Sequence, residues 1–227
     1  GIGLAVFLFL IGRFFIQRRN RNRATRARLA AEAAQPPQPE AGTSHLSIID
    51  AAGNAVALTT TIEDVFGARL MVRGMLLNNE LTDFSFLPEI AGRLVANRVA
   101  GGKRPRSSMS PTIVFGADGL PVAVLGSAGG ARIIGHVAQA LVALLDWDMT
   151  PQEVVALPRV GALNATVELE AGTGAASLAP ALAARGFPVE AHTMTSGLHI
   201  IRVTRRPEGQ RLLGGADPRR DGVALGE

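Results

Sequence analysis

The 227 residues, 47% of them apolar and none of them cysteine, are enough for one domain with a sizeable core. They exclude a disulfide scaffold, a thiol nucleophile and a zinc–thiolate centre. With 4% aromatics and 26 glycines the chain reads as a turn-rich α/β or α+β protein packed with Ala, Val and Leu. The formal charge of +4 is not a nucleic-acid signal, because Arg13, Arg18, Arg19, Arg21, Arg23, Arg26 and Arg28 supply it and the remainder is mildly acidic.

Residues 1–16 form an apolar run, short of the ~20 residues that span a bilayer, and read as a truncated membrane anchor, a buried helix or a misread start. The positive charge lies after the apolar run, the reverse of a signal peptide, and would favour cytoplasmic retention of the downstream chain if the segment spans. Residues 1–28 are the candidate membrane contact. Residues 17–42 are basic and then Pro-rich; Pro36, Pro37 and Pro39 deny helical geometry and make an exposed linker that leaves the Gly42-Thr43 bond accessible.

Residues 43–227 read as one domain. Alternation over 45–50 and 54–61 around Ala51-Ala52-Gly53 predicts a hairpin, and 74–78 and 112–115 read as further strands. Asp118-Gly119 turns the last of these back into 121–125. Gly126-Ser127-Ala128-Gly129-Gly130 leads into a helix with Ile133, Ile134, Val137, Leu141, Leu144 and Leu145 at helical spacing. A glycine turn between strand and helix aims free backbone N–H groups at whatever lies above it. No Lys-Ser or Lys-Thr pair comes after it, as a phosphate-binding P-loop requires. Thr150-Pro151-Gln152-Glu153 is a capping box for a helix ending before Pro158. A strand over 167–169, a helix over 178–185 stopped by Gly186, a strand over 197–205 and a terminal loop over 214–222 complete the reading.

Thr43 is the residue with chemistry in it. A threonine within a chain lacks a base for its hydroxyl, but cutting the Gly42-Thr43 bond frees an α-amine of pKa near ~8 that can serve as that base. Four further blocks lie downstream: Thr59-Thr60-Thr61-Ile62-Glu63-Asp64-Val65-Phe66-Gly67, Leu76-Leu77-Asn78-Asn79-Glu80-Leu81-Thr82-Asp83-Phe84-Ser85, Lys103-Arg104-Pro105-Arg106-Ser107-Ser108-Met109-Ser110-Pro111 and the Gly126–Gly130 turn.

In this order, together with Thr43-Ser44-His45 and the terminal Asp217-Pro218-Arg219, the blocks resemble the small subunit of the γ-glutamyltranspeptidases, a family of N-terminal nucleophile hydrolases. The resemblance covers residues 43–227. It implies an α+β fold, the small-subunit half of an αββα sandwich, and a precursor that cleaves itself before Thr43. Thr61 matches the hydroxyl that contacts the nucleophile, and Gly129 and Gly130 match the oxyanion pair. Ser107 and Ser108 match the groups holding the substrate α-carboxylate; Glu63, Glu80 and Asp83 match the acceptors of its α-ammonium. The implied substrate is a γ-glutamyl amide such as glutathione, with water, an amino acid or a dipeptide as acceptor. The implied partner is the large subunit of the same precursor, which in the family carries the arginine that clamps the carboxylate. Location by resemblance is periplasmic or extracellular.

No cofactor or metal is expected; His136, His192 and His199 lack metal-ligand spacing, and His45 reads as structural because the α-amine fills the base position. Residues 1–42 do not resemble the end of a large subunit. The stretch between Asp83 and Lys103 is shorter than in members with a long lid, which implies a more open site. Two alternatives share the pattern: a cephalosporin or glutaryl acylase, whose substrate lacks the α-amine, and a truncated, non-catalytic member.

Overall fold

The computed structural model of the chain describes residues 42–163, 166–207 and 209–226, so the apolar segment over 1–16 and all but the last residue of the linker lie outside the described residues. The first elements are β1 (Thr43–Ile49) and β2 (Ala55–Thr61), an antiparallel hairpin in which Thr43 faces Thr61. Its turn is closed by Asp50, whose carboxylate accepts from Asn54 N and Nδ2, both at 2.8 Å. Two small pairs come next, β3 (Met71–Val72) with β4 (Met75–Leu76) and β5 (Glu89–Ile90) with β6 (Arg93–Leu94). The strand read over 74–78 is therefore cut to two residues. Asn78 is the reason: its Oδ1 accepts from Glu80 N at 3.1 Å and turns the chain into the 3-10 helix Glu80–Asp83.

The remaining elements are β7 (Thr112–Phe115), β8 (Pro121–Gly126), α1 (Ile133–Leu145), α2 (Pro151–Ala156), β9 (Val160–Leu163), β10 (Thr166–Glu170), α3 (Ala179–Ala183), β11 (Val189–His192), β12 (His199–Arg206) and β13 (Gly209–Ala216). Strands in the order β13-β12-β8-β7 make an antiparallel sheet, and β11-β10-β9 make a second, smaller one. On the main sheet Ala123, Leu125, Leu198 and Ile200 pack against Ile133, Val137, Ala140 and Leu144 of α1 and Val154 and Val155 of α2. The opposite face of β8, which carries the buried Val124, meets β1 and β2. Three layers result: helices, sheet, hairpin. The smaller sheet closes over α3 through Val167, Leu169, Ala175 and Leu182.

Burying a glycine turn at the end of the central strand requires a rigid floor, and α1 with its apolar stripe supplies it. Ile134 and Leu145, at helical spacing in the sequence, are instead exposed, at 57% and 52%. The capping box at α2 forms as the sequence indicates, with Thr150 accepting from Glu153 N and Glu153 accepting from Thr150 N. The helix read over 178–185 begins earlier, as a 3-10 turn Gly174–Leu178 leading into α3.

One reading is overturned. The terminal stretch over 214–222 is not all loop: Gly214, Gly215 and Ala216 belong to β13, paired with Ile201, Ile200 and His199. The glycines mark close packing, since a Cβ on Gly215 would sit 2.5 Å from the backbone of Pro151 at the start of α2. Among the described residues, no helix is long and apolar enough to cross a membrane.

Candidate active site

The hairpin register brings the two threonines together. Ile62 N donates to Gly42 O at 3.0 Å, which makes residues 42 and 62 a hydrogen-bonded pair and residues 43 and 61 a non-bonded one. Side chains approach most closely in non-bonded pairs. The Thr43 hydroxyl accordingly donates to Thr61 Oγ1 at 3.2 Å, and Thr61 Oγ1 is itself held by Glu63 N at 2.9 Å. Gly42 is a position for glycine alone: a Cβ there would lie 2.3 Å from Glu63 O. Glu63 adopts φ 70°, the left-handed region, which turns the chain sharply after β2.

The same turn gathers three carboxylates. Asn79 Oδ1 accepts from Asp64 N at 3.0 Å and Asn79 N donates to Ile62 O at 3.3 Å, so the 3-10 helix docks against the exit of β2. Carboxylate oxygens of Glu63, Glu80 and Asp83 then lie within 4.8 Å of one another. Burial, then the hydrogen bond and charge of Asp83, push Glu80 up to about 7. Glu63 is raised by burial and by Asp83, with Arg106 opposing. A cation among the three, an ammonium or a metal ion, would relieve the repulsion.

Ser107 and Ser108 are tied to this cluster indirectly. Asn97 donates to Asp83 O and accepts from Arg106 N at 3.1 Å, which sets Ser107 one residue beyond the link. The Ser107 hydroxyl accepts from Met109 N at 3.2 Å, and Ser108 O accepts from Ser110 Oγ at 2.9 Å.

Gly129 and Gly130 come after β8 with φ 133° and 54°, conformations that favour glycine. Beneath Gly129 lies the buried His136, whose imidazole would meet a Cβ at 3.0 Å. Burial and the charge of Arg159 push His136 down to about 4, so it is neutral at pH 7. The glycine turn connects to Thr43 by two routes. His45, two residues after Thr43, packs its ring against Gly126, leaving no room for a Cβ there. Arg220 donates to Thr43 O at 3.1 Å and passes Gly197, which in turn bonds Ala128 N. His45 is structural in this setting: Thr59 Oγ1 at 2.8 Å and Ser47 Oγ at 3.1 Å occupy both ring nitrogens, and burial holds its pKa down to about 4.

Arg220 and the residues that seat it are absent from the sequence reading, which had only Asp217-Pro218-Arg219 as a pattern. Asp217, 1% exposed, accepts from Ser196 Oγ at 2.5 Å, Arg159 Nη2 at 3.0 Å and Arg219 Nη1 at 3.0 Å. Arg219 also forks onto Glu170 at 2.6 and 2.7 Å. Ser196 and Asp217 lie 37 and 58 residues from Arg159, and Glu170 lies 49 residues from Arg219, so no local pattern announces these contacts.

A family profile described as Gamma-glutamyltranspeptidase matches residues 13–227. The chain belongs to the γ-glutamyltranspeptidase family. The match begins upstream of Thr43, so the family likeness extends into the stretch read as a foreign linker. A glutathione hydrolase proenzyme of Pseudomonas sp. (strain A14) is 44% identical over 131 residues, which are 55% of this chain and 23% of that protein. Across the matching proenzymes the chain spans between 20% and 34% of their length. Among solved structures, the γ-glutamyltranspeptidase from Pseudomonas nitroreducens complexed with L-DON is 35% identical with a TM-score of 0.68, covering 81% of this chain and 99% of that one. A cephalosporin acylase from Bacillus halodurans is 26% identical with a TM-score of 0.66, covering 79% of this chain and 33% of that one. The fold is thus the small-subunit half of the αββα sandwich of N-terminal nucleophile hydrolases.

Proposed function

We propose that this chain is the catalytic part of a γ-glutamyltransferase and glutathione hydrolase, activated by self-cleavage between Gly42 and Thr43. The observation that carries the reading is the run Thr43–Thr61–Glu63. The nucleophile's hydroxyl donates to Thr61, Thr61 is held by Glu63 N, and the Glu63 carboxylate joins the cation-seeking cluster. Reaction centre and ammonium site therefore share one short piece of backbone.

In the proposed reaction Oγ1 of Thr43 attacks the γ-glutamyl amide carbonyl while its proton passes to the freed α-amine. N–H groups of the Gly129–Gly130 turn hold the oxyanion, a contribution of roughly 3 to 4 kcal/mol per donor in comparable sites. The amine product leaves with that proton. Water, an amino acid or a dipeptide then attacks the acyl-threonine and releases glutamate or a new γ-glutamyl amide. Ser107 and Ser108 hold the α-carboxylate, and Glu63, Glu80 and Asp83 hold the α-ammonium.

The partner in this reading is the large subunit of the same precursor, and the hairpin supports it. Leu46 pairs with Leu58 and Ile48 with Val56 across the strands, all on the face turned away from the sheet and exposed by 39 to 51%. Four large apolar side chains exposed together on one face are suited to a covering layer. The Pseudomonas nitroreducens chain aligns with about the share of this chain that removal of residues 1–42 would leave. A periplasmic or extracellular location is part of the same reading.

The test is turnover of γ-glutamyl and glutaryl anilides by the complete processed protein. A strong preference for the γ-glutamyl anilide is expected, because only it offers an ammonium to the carboxylates. Preference for the glutaryl anilide would favour the acylase alternative, and activity on neither would favour an inert member.

A further inference from the structure

We propose that Arg220 tunes the α-amine of Thr43 toward its neutral, proton-accepting form; this deepens the N-terminal threonine reading and rests on it. The hairpin register supplies the geometry. Because residues 42 and 62 are the bonded pair, the N–H and C=O of Thr43 both face away from β2, on the same edge of β1. On that edge Arg220 Nη1 donates to Thr43 O at 3.1 Å. When the Gly42-Thr43 bond is cut, the nitrogen on that edge becomes the terminal amine. The guanidinium is then separated from it by the breadth of one residue. A fixed cation at that range disfavours the ammonium form and leaves more free base at neutral pH.

Arg220 is held in place from both ends. Its backbone N donates to Asp217 O at 3.3 Å, inside the buried network of Asp217 with Arg159 and Arg219. Its side chain crosses Gly197 so closely that a Cβ there would lie 3.1 Å from Arg220 Cδ. The other charged or titratable groups around Thr43 come from every neighbouring element. They are His45 on β1, His199 on β12, Glu63 beyond β2 with Glu80, Asp83, Asp64 and Arg106 around it, and Asp221 beside Arg220. His45 is neutral at pH 7, and the Glu63 carboxylate is gathered with Glu80 and Asp83. Asp217 is already paired with Arg159 and Arg219. Arg220 is the cation bonded to Thr43 itself.

The experiment is the pH profile of kcat/KM on a γ-glutamyl anilide for the complete processed protein, wild type against Arg220→Gln and Arg220→Lys. Removing the charge is expected to move the acid limb up by on the order of one pH unit, a roughly tenfold loss below the limb with the alkaline plateau kept within a few-fold. Arg220→Lys, which keeps the charge, should stay near the wild-type limb. Superimposable wild-type and Arg220→Gln profiles would overturn the proposal. Should Arg220→Gln fail to mature, the wild-type amine is titrated by its rate of acylation with an amine reagent. A midpoint below the ordinary ~8 of an α-amine supports the proposal and one at or above it refutes it. Loss of the N-terminal threonine reading looks different: a Thr43→Ala variant that still turns over substrate removes it, whatever the Arg220 profiles show.

Discussion

At the residue scale the carboxylate cluster has the most direct consequence. With Glu80 held at about 7, chiefly by burial and then by Asp83, the cluster keeps a proton below neutrality, and a bound ammonium must expel it. Affinity for free glutamate should therefore rise as the pH climbs toward 7 and level off above it, and Glu80→Gln should flatten this dependence; an inhibition series with glutamate reads it without involving the chemistry. The same raised pKa means that Glu80 adds nothing to stability above about pH 7, its protonated form being the one that the fold prefers. Thr61→Ala removes the oxygen that receives the Thr43 hydroxyl bond, and kcat is expected to fall by roughly 10- to 100-fold with KM little changed.

Thr43, Thr61 and the three acids were legible because each sits in a short ordered block. That Thr43 and Thr61 face each other as a non-bonded pair was not legible, since it depends on which residues exchange backbone bonds. Arg220 was invisible for the same kind of reason, its partner lying 177 residues away.

At the scale of elements, the alternating runs of β1 and β2 and the stripe of α1 arise directly from periods of two and 3.6 residues, whereas β8 is a continuous apolar run buried on both faces. The end of the chain does not. Gly214 and Gly215 look like loop residues until Ala224 is seen pressing on the first and the start of α2 on the second, tertiary constraints that local pattern cannot express. Strands β3, β5, β6, β9, β11 and β13 were missed, being short or glycine-bearing.

What anchors this end is the Asp217 network. Burial pushes Asp217 up, but the Ser196 hydroxyl and the Arg159 charge outweigh it and leave its pKa lowered. The anchor is thus fully present above the ordinary carboxylate range and weakens as the pH falls through the lowered value. Asp217→Asn leaves Arg159, 0% exposed, without its counter-charge, and is expected to cost about 3 to 5 kcal/mol in a denaturant titration of the complete protein. A loss under about 1 kcal/mol would show that the network is not holding the terminus.

For the molecule as a whole, the layers leave apolar side chains of the hairpin uncovered among the described residues. The sheet is covered by helices on one side and by the hairpin on the other, and the hairpin's outer face is left apolar. Leu58→Asp puts a charge in the middle of that face, opposite Leu46, while leaving the inner face untouched. If the proposed large subunit covers this face, the change should abolish association with it in sedimentation experiments, whereas substitution at the exposed turn residue Ala52 should not. That the hairpin turns Leu46, Ile48, Val56 and Leu58 outward and Thr43, His45, Ser47, Thr59 and Thr61 inward emerges only once the register assigns each residue a face.

The proposed chemistry depends on self-cleavage before Thr43, and end-group sequencing of the complete protein measures that cleavage directly. A chain beginning at Thr43 in the wild type, absent from Thr43→Ala, is the expected result. An intact wild-type chain that still turns over a γ-glutamyl anilide, or a Thr43→Ala variant that does, would contradict the account.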